Sequence, residues 1–249
     1  MQTYLEDAPF VGPLVMVGGG EWQDGCDFDL DLVTRAKLTS KNITSLENGN
    51  LDTKILILPT AAAYQNPQKA VKNAMRWFEQ LGAEIEECMI LERGDAFSEE
   101  FSHKIQSSKF IYIAGGSPLH LRSTLKSSPA LNAMVNAWQT GAILAGSSAG
   151  AMVLTDPMID PRGGAFSVGL GLVNNIAVYP HFDGEIDAKL QRTLSLAPRN
   201  CAVVALPEQT AIIREPEGSW HVEGKYCDLV QIYLSSRLIG IEDLESLIG

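Results

Sequence analysis

The stretch Ala142-Ile143-Leu144-Ala145-Gly146-Ser147-Ser148-Ala149-Gly150-Ala151-Met152-Val153-Leu154 decides how this chain is read. An apolar run with no polar interruption is the pattern of a strand buried on both faces. It passes into Gly-x-Ser-x-Gly, and the small residues after it start a helix. Strand, tight turn and helix are the context in which that motif has chemical meaning. Glycines on either side of the serine let neighbouring backbone approach, and the turn pushes the Ser148 hydroxyl out beyond the sheet edge. The amide of the next residue, Ala149, then points at a developing oxyanion. Ser147 is expected to face away from that site.

Working outward, short apolar runs bounded by Gly and Pro alternate with segments of helical period. Leu14–Val17 ends in Gly18-Gly19-Gly20, and Ile55–Leu58 ends in Pro59. The spacing predicts a helix from Pro67 to Leu81, with Val71, Ala74, Met75, Phe78 and Leu81 on one face and Gly82 as its stop. Further strands are expected at Ile85–Leu91 and at Phe110–Ala114, the latter ending in Gly115-Gly116. Helical pattern runs between Leu119 and Trp138.

This alternation predicts a three-layer α/β fold, a mostly parallel sheet with helices on both faces. Past residue 200, four short runs (Ala202–Leu206, Ala211–Ile213, Trp220–Val222 and Leu229–Tyr233) read as an antiparallel edge on the same sheet. The Gly-, Pro- and Asp-rich segment 155–172 reads as a long loop. One domain over residues 1–249 is within what the length allows.

Composition narrows the function classes. The 19 basic and 30 acidic residues give a net charge of −11. No basic stripe suits a phosphate backbone, so nucleic acid is not an expected partner. No apolar run approaches a membrane span of ~20 residues. The start, MQTYLEDAPF, lacks the pattern of a signal peptide. Cys26, Cys88, Cys201 and Cys227 are far apart and form no metal-binding or redox spacing, and they are expected as free buried thiols. Gly18-Gly19-Gly20 does not have dinucleotide-binding spacing, and no Walker sequence is present. No cofactor or metal is implied. A reduced, cytoplasmic protein is the expectation. The oligomeric state stays open, with a homodimer among the options.

A serine needs a base. Of the four histidines, His103 falls in a polar helical stretch, His221 in a turn-rich hairpin beside Trp220, and His120 among packing leucines. His181 instead follows the apolar run Ile176–Tyr179 and Pro180, at the carboxyl end of a strand, where α/β sheets gather their ligands. Two carboxylates compete to fix its tautomer. Glu208 follows Leu206-Pro207, and Asp183 lies two residues after the histidine; the residues themselves leave both open. Gly116 is positioned to supply a second oxyanion amide.

Taken together, Gly18-Gly19-Gly20, Gly115-Gly116, Gly146–Gly150, Pro180-His181-Phe182 and Pro207-Glu208-Gln209-Thr210-Ala211 resemble the cyanophycinase and aspartyl dipeptidase family of serine peptidases. The resemblance runs from about residue 14 to about residue 235. It implies a fold similar to class I glutamine amidotransferases, related to the flavodoxin-like type. It implies a triad in the chain order Ser148, His181, Glu208, and so favours Glu208; the amidotransferase relatives, whose acid lies two positions after the histidine, speak for Asp183.

Two departures stand out. The family often places Asn and then Gln or Thr after the paired glycines, where this chain has Ser117-Pro118. Cyanophycinases carry arginines soon after His-Phe, where this chain has Asp183-Gly184-Glu185-Ile186-Asp187. Ser117 and Arg192 remain as candidate substrate-binding residues. The expected activity is a serine-type peptidase or amidase acting on a peptide or small amide. A small-molecule esterase and a catalytically lapsed binding protein on the same fold are the alternatives.

Overall fold

The computed structural model describes residues 11–40 and 54–247. Its larger sheet is built from β1 (Leu14–Val17), β2 (Lys54–Leu58), β3 (Glu84–Glu87), β4 (Phe110–Ile113) and β5 (Ile143–Ser147). A smaller sheet begins with β6 (Ile176–Pro180) and β7 (Ala202–Leu206). The chain then returns to the larger sheet as β8 (Thr210–Arg214) and β9 (Trp220–Gly224), and closes the smaller one with β10 (Gln231–Leu234) and β11 (Arg237–Leu238). The strand orders are β9-β8-β1-β5-β4-β2-β3 and β6-β7-β10-β11.

In the larger sheet β1, β5, β4, β2 and β3 run parallel, and β8 and β9 add antiparallel at the β1 side. The three-layer expectation therefore holds, with a correction at the C-terminal end. Only the runs within β8 and β9 form the antiparallel edge. Those at Ala202–Leu206 and Gln231–Leu234 pair with each other in the smaller sheet, where β7 also lies parallel to β6. All five residues of β7 are buried, so this strand is a core element and not a rim.

Among the described residues seven α-helices join the strands: α1 (Phe28–Ser40), α2 (Pro67–Gln80), α3 (Glu99–Ser107), α4 (Pro118–Leu125), α5 (Pro129–Gln139), α6 (Ala149–Leu154) and α7 (Ala188–Leu196). In the central strands of the larger sheet, β1, β2, β4 and β5, alternate residues feed opposite cores. Val15, Val17, Ile57 and Tyr112 pack with Phe28 and Leu32 of α1 and Val71 and Phe78 of α2. Leu14, Met16, Leu58 and Ile113 pack with Ile105 of α3, Leu121 of α4 and Trp138 of α5. The smaller sheet joins this second core through Val178 and Val204.

Local chemistry sets the helix starts. Asn66 caps α2 by accepting the Lys69 N–H at 3.0 Å, with Pro67 in the first helical position. In α2 Trp77 takes the buried place expected for Met75, which is 41% exposed. The helical pattern from Leu119 to Trp138 is two helices because Ser128 and Pro129 restart it; the Ser128 hydroxyl accepts the Leu131 N–H at 3.1 Å.

The strand expected to reach Leu91 stops at Glu87. It is a half-exposed edge, and the Ile90 N–H turns back to the Cys88 carbonyl. The 155–172 segment is more ordered than a loop. Thr155–Asp156 pairs with Val173–Asn174, and Met158–Ile159 pairs with Phe166–Ser167. Cys26, Cys88 and Cys201 are buried free thiols as expected, whereas Cys227 is half-buried. No helix among the described residues is long and apolar enough to cross a membrane.

Candidate active site

Three adjacent parallel strands, β1, β5 and β4, end at the same level. Val17 is in register with Ser147, and Ile113 with Gly146. The residues that follow them, Gly18–Gly20, Ser148 and Gly115-Gly116, therefore emerge side by side. Ser148 leaves β5 with φ +48° and ψ −104°, and its N–H donates to the Val17 carbonyl at 2.9 Å. A side chain held in so sparsely populated a conformation marks a site that its surroundings over-determine. The motif's outer glycines are needed: a Cβ on Gly146 would lie 2.6 Å from the Gly150 carbonyl carbon.

β6 delivers His181 and β7 delivers Glu208. These two strands pair with Pro180 opposite Leu206, so the residues beyond them also emerge together. Ser148 Oγ lies 2.7 Å from His181 Nε2, and His181 Nδ1 lies 2.8 Å from Glu208 Oε1. With Nδ1–H donating to the carboxylate, Nε2 presents a lone pair to the serine hydroxyl. That tautomer is assigned from the hydrogen-bond network. The His181 and Glu208 side chains are 50% and 51% exposed, so the site is an open surface feature.

The three N-terminal glycines are the seat of this arrangement, a role that their spacing did not disclose. The Gly18 carbonyl accepts the His181 N–H, and the Gly19 carbonyl accepts the Gln209 N–H, both at 2.8 Å. His181 and Gln209 themselves take positive φ, +57° and +54°. A Cβ on Gly19, whose φ is +125°, would stand 2.4 Å from the His181 ring. Only glycine permits the imidazole to lie this close to the strand end.

The remaining expected residues fall as follows. Ala149 opens α6, and Gly116 has φ +142° in the loop after β4. Neither N–H meets a protein acceptor among the described residues. Ser117 is occupied otherwise: its N–H donates to the Ala61 carbonyl at 2.8 Å, and its hydroxyl caps α4 by accepting the His120 N–H. Asp183 does not meet His181; its Oδ1 accepts the Glu185 N–H at 3.0 Å. Arg192 is exposed on α7, and its guanidinium makes no hydrogen bond or ion pair among the described residues. His120 Nε2 contacts the Leu91 carbonyl at 2.8 Å, His221 lies near Glu223 and Glu215, and His103 is exposed on α3.

One residue of this neighbourhood escaped the sequence reading. Glu21 directs one carboxylate oxygen to the Gly115 N–H at 3.2 Å and the other to the Ser147 hydroxyl at 2.7 Å. A lone glutamate after a glycine run carries no motif that would single it out. Beside it, a pocket of about 320 Å³ opens between Gly20, Trp22, Asn66, Lys69 and Gly116.

Strand ends of the two sheets thus bring together a hydroxyl, an imidazole and a carboxylate. The chain belongs to peptidase family S51, whose sequence pattern it matches over residues 30–219. It is 28% identical over 189 residues to cyanophycinases of Synechococcus elongatus and Thermosynechococcus vestitus. That match covers 71% of this chain and 58% of each relative, so the chain spans less than two thirds of the curated relatives it matches. A peptidase from an acI-B1 Actinobacterium superposes with a TM-score of 0.75 at 25% identity, covering 94% of this chain and 98% of that one. A candidate peptidase E protein from Listeria monocytogenes EGD-e shares the fold, with a TM-score of 0.59 at 19% identity over 86% of this chain and 98% of that one.

Proposed function

We propose that this chain is a serine-type peptidase or amidase that works through an acyl-enzyme on Ser148. The observation that carries the reading is the continuous hydrogen-bonded series from Ser148 through His181 to Glu208. In the proposed reaction the Ser148 oxygen attacks the substrate carbonyl carbon while its proton passes to His181 Nε2. Glu208 holds the ring's orientation and stabilises the imidazolium that forms. The carbonyl oxygen becomes an oxyanion that accepts from the Gly116 and Ala149 N–H groups.

His181 then gives its proton to the leaving nitrogen, the C–N bond breaks, and the amine departs. Water enters, loses a proton to His181 and attacks the acyl carbon. The Ser148 oxygen leaves with that proton, which restores the enzyme.

The openness of the triad suits a peptide or small amide. The pocket beside Gly116 offers a recess for a substrate side chain, and Lys69 on its wall favours a polar or anionic one. The acidic run from Asp183 to Asp187 follows His181 in the chain, and Glu21 shares the pocket wall with Lys69.

The test is labelling with a fluorophosphonate, read by mass spectrometry. Modification of Ser148 that is lost in Ser148→Ala and His181→Ala is the expected result. A folded protein that takes up no label would overturn the reading in favour of a non-catalytic binding protein.

A further inference from the structure

We infer that Glu21 is a positioning residue that clamps the oxyanion loop to the nucleophile elbow. The inference rests on the serine-peptidase reading of the site and adds a residue to it. Gly115 and Gly116 follow one another after β4, and two consecutive glycines have no Cβ to confine their backbone. The peptide plane between them carries the Gly116 N–H. Left to itself, that plane is free to turn and present the Gly115 carbonyl, which repels an oxyanion.

The amide accounting shows how the plane is held. On one side the Gly115 N–H donates to Glu21 Oε1 at 3.2 Å; on the other the Ser117 N–H donates to the Ala61 carbonyl at 2.8 Å. Gly116 is the amide of this loop with no protein acceptor among the described residues. In the elbow the Ser148 N–H is likewise taken, by the Val17 carbonyl, and Ala149 is left open. The two unclaimed amides are the two that the chemistry needs.

Glu21 Oε2 accepts from the Ser147 hydroxyl, which is wholly buried and adjoins the nucleophile. A single carboxylate thus spans the end of β5 and the loop after β4. Its own backbone is anchored as well. Gly20, the preceding residue, sits where a Cβ would be 3.2 Å from Glu208 Cβ, and Gly18 and Gly19 hold the amides of His181 and Gln209. One short segment therefore sets the triad through its main chain and the oxyanion amides through one side chain.

The experiment measures inactivation of the full chain by a fluorophosphonate, whose phosphoryl oxygen occupies the oxyanion position. The maximal rate is separated from the half-saturating concentration. Glu21→Ala is expected to lower the maximal rate about 100-fold, the cost of losing one oxyanion donor, with little change in half-saturation. Glu21→Gln keeps an acceptor for Gly115 and a partner for Ser147, and is expected to recover the rate to within about fivefold of the parent. Amide exchange at Gly115 should quicken in Glu21→Ala and stay slow in Glu21→Gln.

A parent-like maximal rate in Glu21→Ala, a loss confined to half-saturation, or Glu21→Gln as slow as Glu21→Ala would each overturn the inference. Should Glu21→Ala not fold, Ser147→Ala severs one arm alone; a drop of about tenfold supports the clamp and an unchanged rate rejects it. Failure of the parent to label at Ser148 rejects the serine-peptidase reading, and the clamp with it.

Discussion

The main-chain N–H of His181 donates to the carbonyl of Gly18 at 2.8 Å, pinning the end of a strand in the smaller sheet to the end of the first strand in the larger one. The proposed base and the proposed nucleophile come from different sheets, and this bond and its neighbour at Gly19 hold them in register. Chemistry at this site should therefore respond to the glycines as sharply as to the triad.

Gly19→Ala is the direct test. Its Cβ would meet the His181 ring at 2.4 Å, in a backbone conformation that alanine resists. The imidazole must move, and a displacement of this kind costs about 100-fold in rate. The strained φ removes a further ~1–3 kcal/mol of stability. Hydrolysis assays and thermal unfolding of the same variant measure the two effects.

Glu208→Gln and Asp183→Asn separate the two candidate acids. An amide at position 208 favours the wrong imidazole tautomer and should lower the turnover rate by up to about 10⁴-fold without loss of fold. The Asp183 carboxylate meets a loop amide, so Asp183→Asn should leave turnover within about twofold of the parent. Steady-state kinetics on both variants decide it.

Lys69 lines the pocket beside Gly116. Lys69→Ala should raise KM for peptides with an acidic side chain on the acyl side about tenfold, and leave reaction with a neutral fluorophosphonate unchanged. Equal effects on neutral and acidic peptides would remove the lysine from substrate recognition.

Asp29 is fully buried between α1 and α2. It accepts the Trp77 indole N–H at 2.8 Å, while its other oxygen has no partner among the described residues. Burial pushes its pKa from 3.8 up to about 7, against a smaller lowering by Trp77. Between those values the folded state holds a proton that the unfolded state has released. Stability contributed by this group is thus greatest at low pH and falls as pH rises from about 4 to about 7. Asp29→Asn keeps the acceptor for Trp77 and removes the titration. Its melting temperature should lose this slope and exceed the parent's above pH 7, as thermal scans across pH would show.

What the chain determined by itself was local. The apolar run into Gly146–Gly150 located Ser148, and the asparagine, serine and proline residues at Asn66-Pro67 and Ser128-Pro129 carry their own capping chemistry. These features are legible because the groups that satisfy one another lie within four residues. The C-terminal strands were legible as strands but not as members of two sheets, since an apolar run records burial and not its partner.

The same limit applies to the proposed acid of the site. Asp183 is two residues from His181 and Glu208 is 27 away, and the distant one makes the contact. The parallel pairing of β6 with β7 brings it there, while a tight turn sends the near one to the Glu185 amide. The resemblance to a peptidase family favoured Glu208, whereas spacing alone left both carboxylates open. Glu21 was invisible for the same reason. Its partners, Gly115 and Ser147, lie 94 and 126 residues away, and only the alignment of three parallel strand ends places one carboxylate within reach of both.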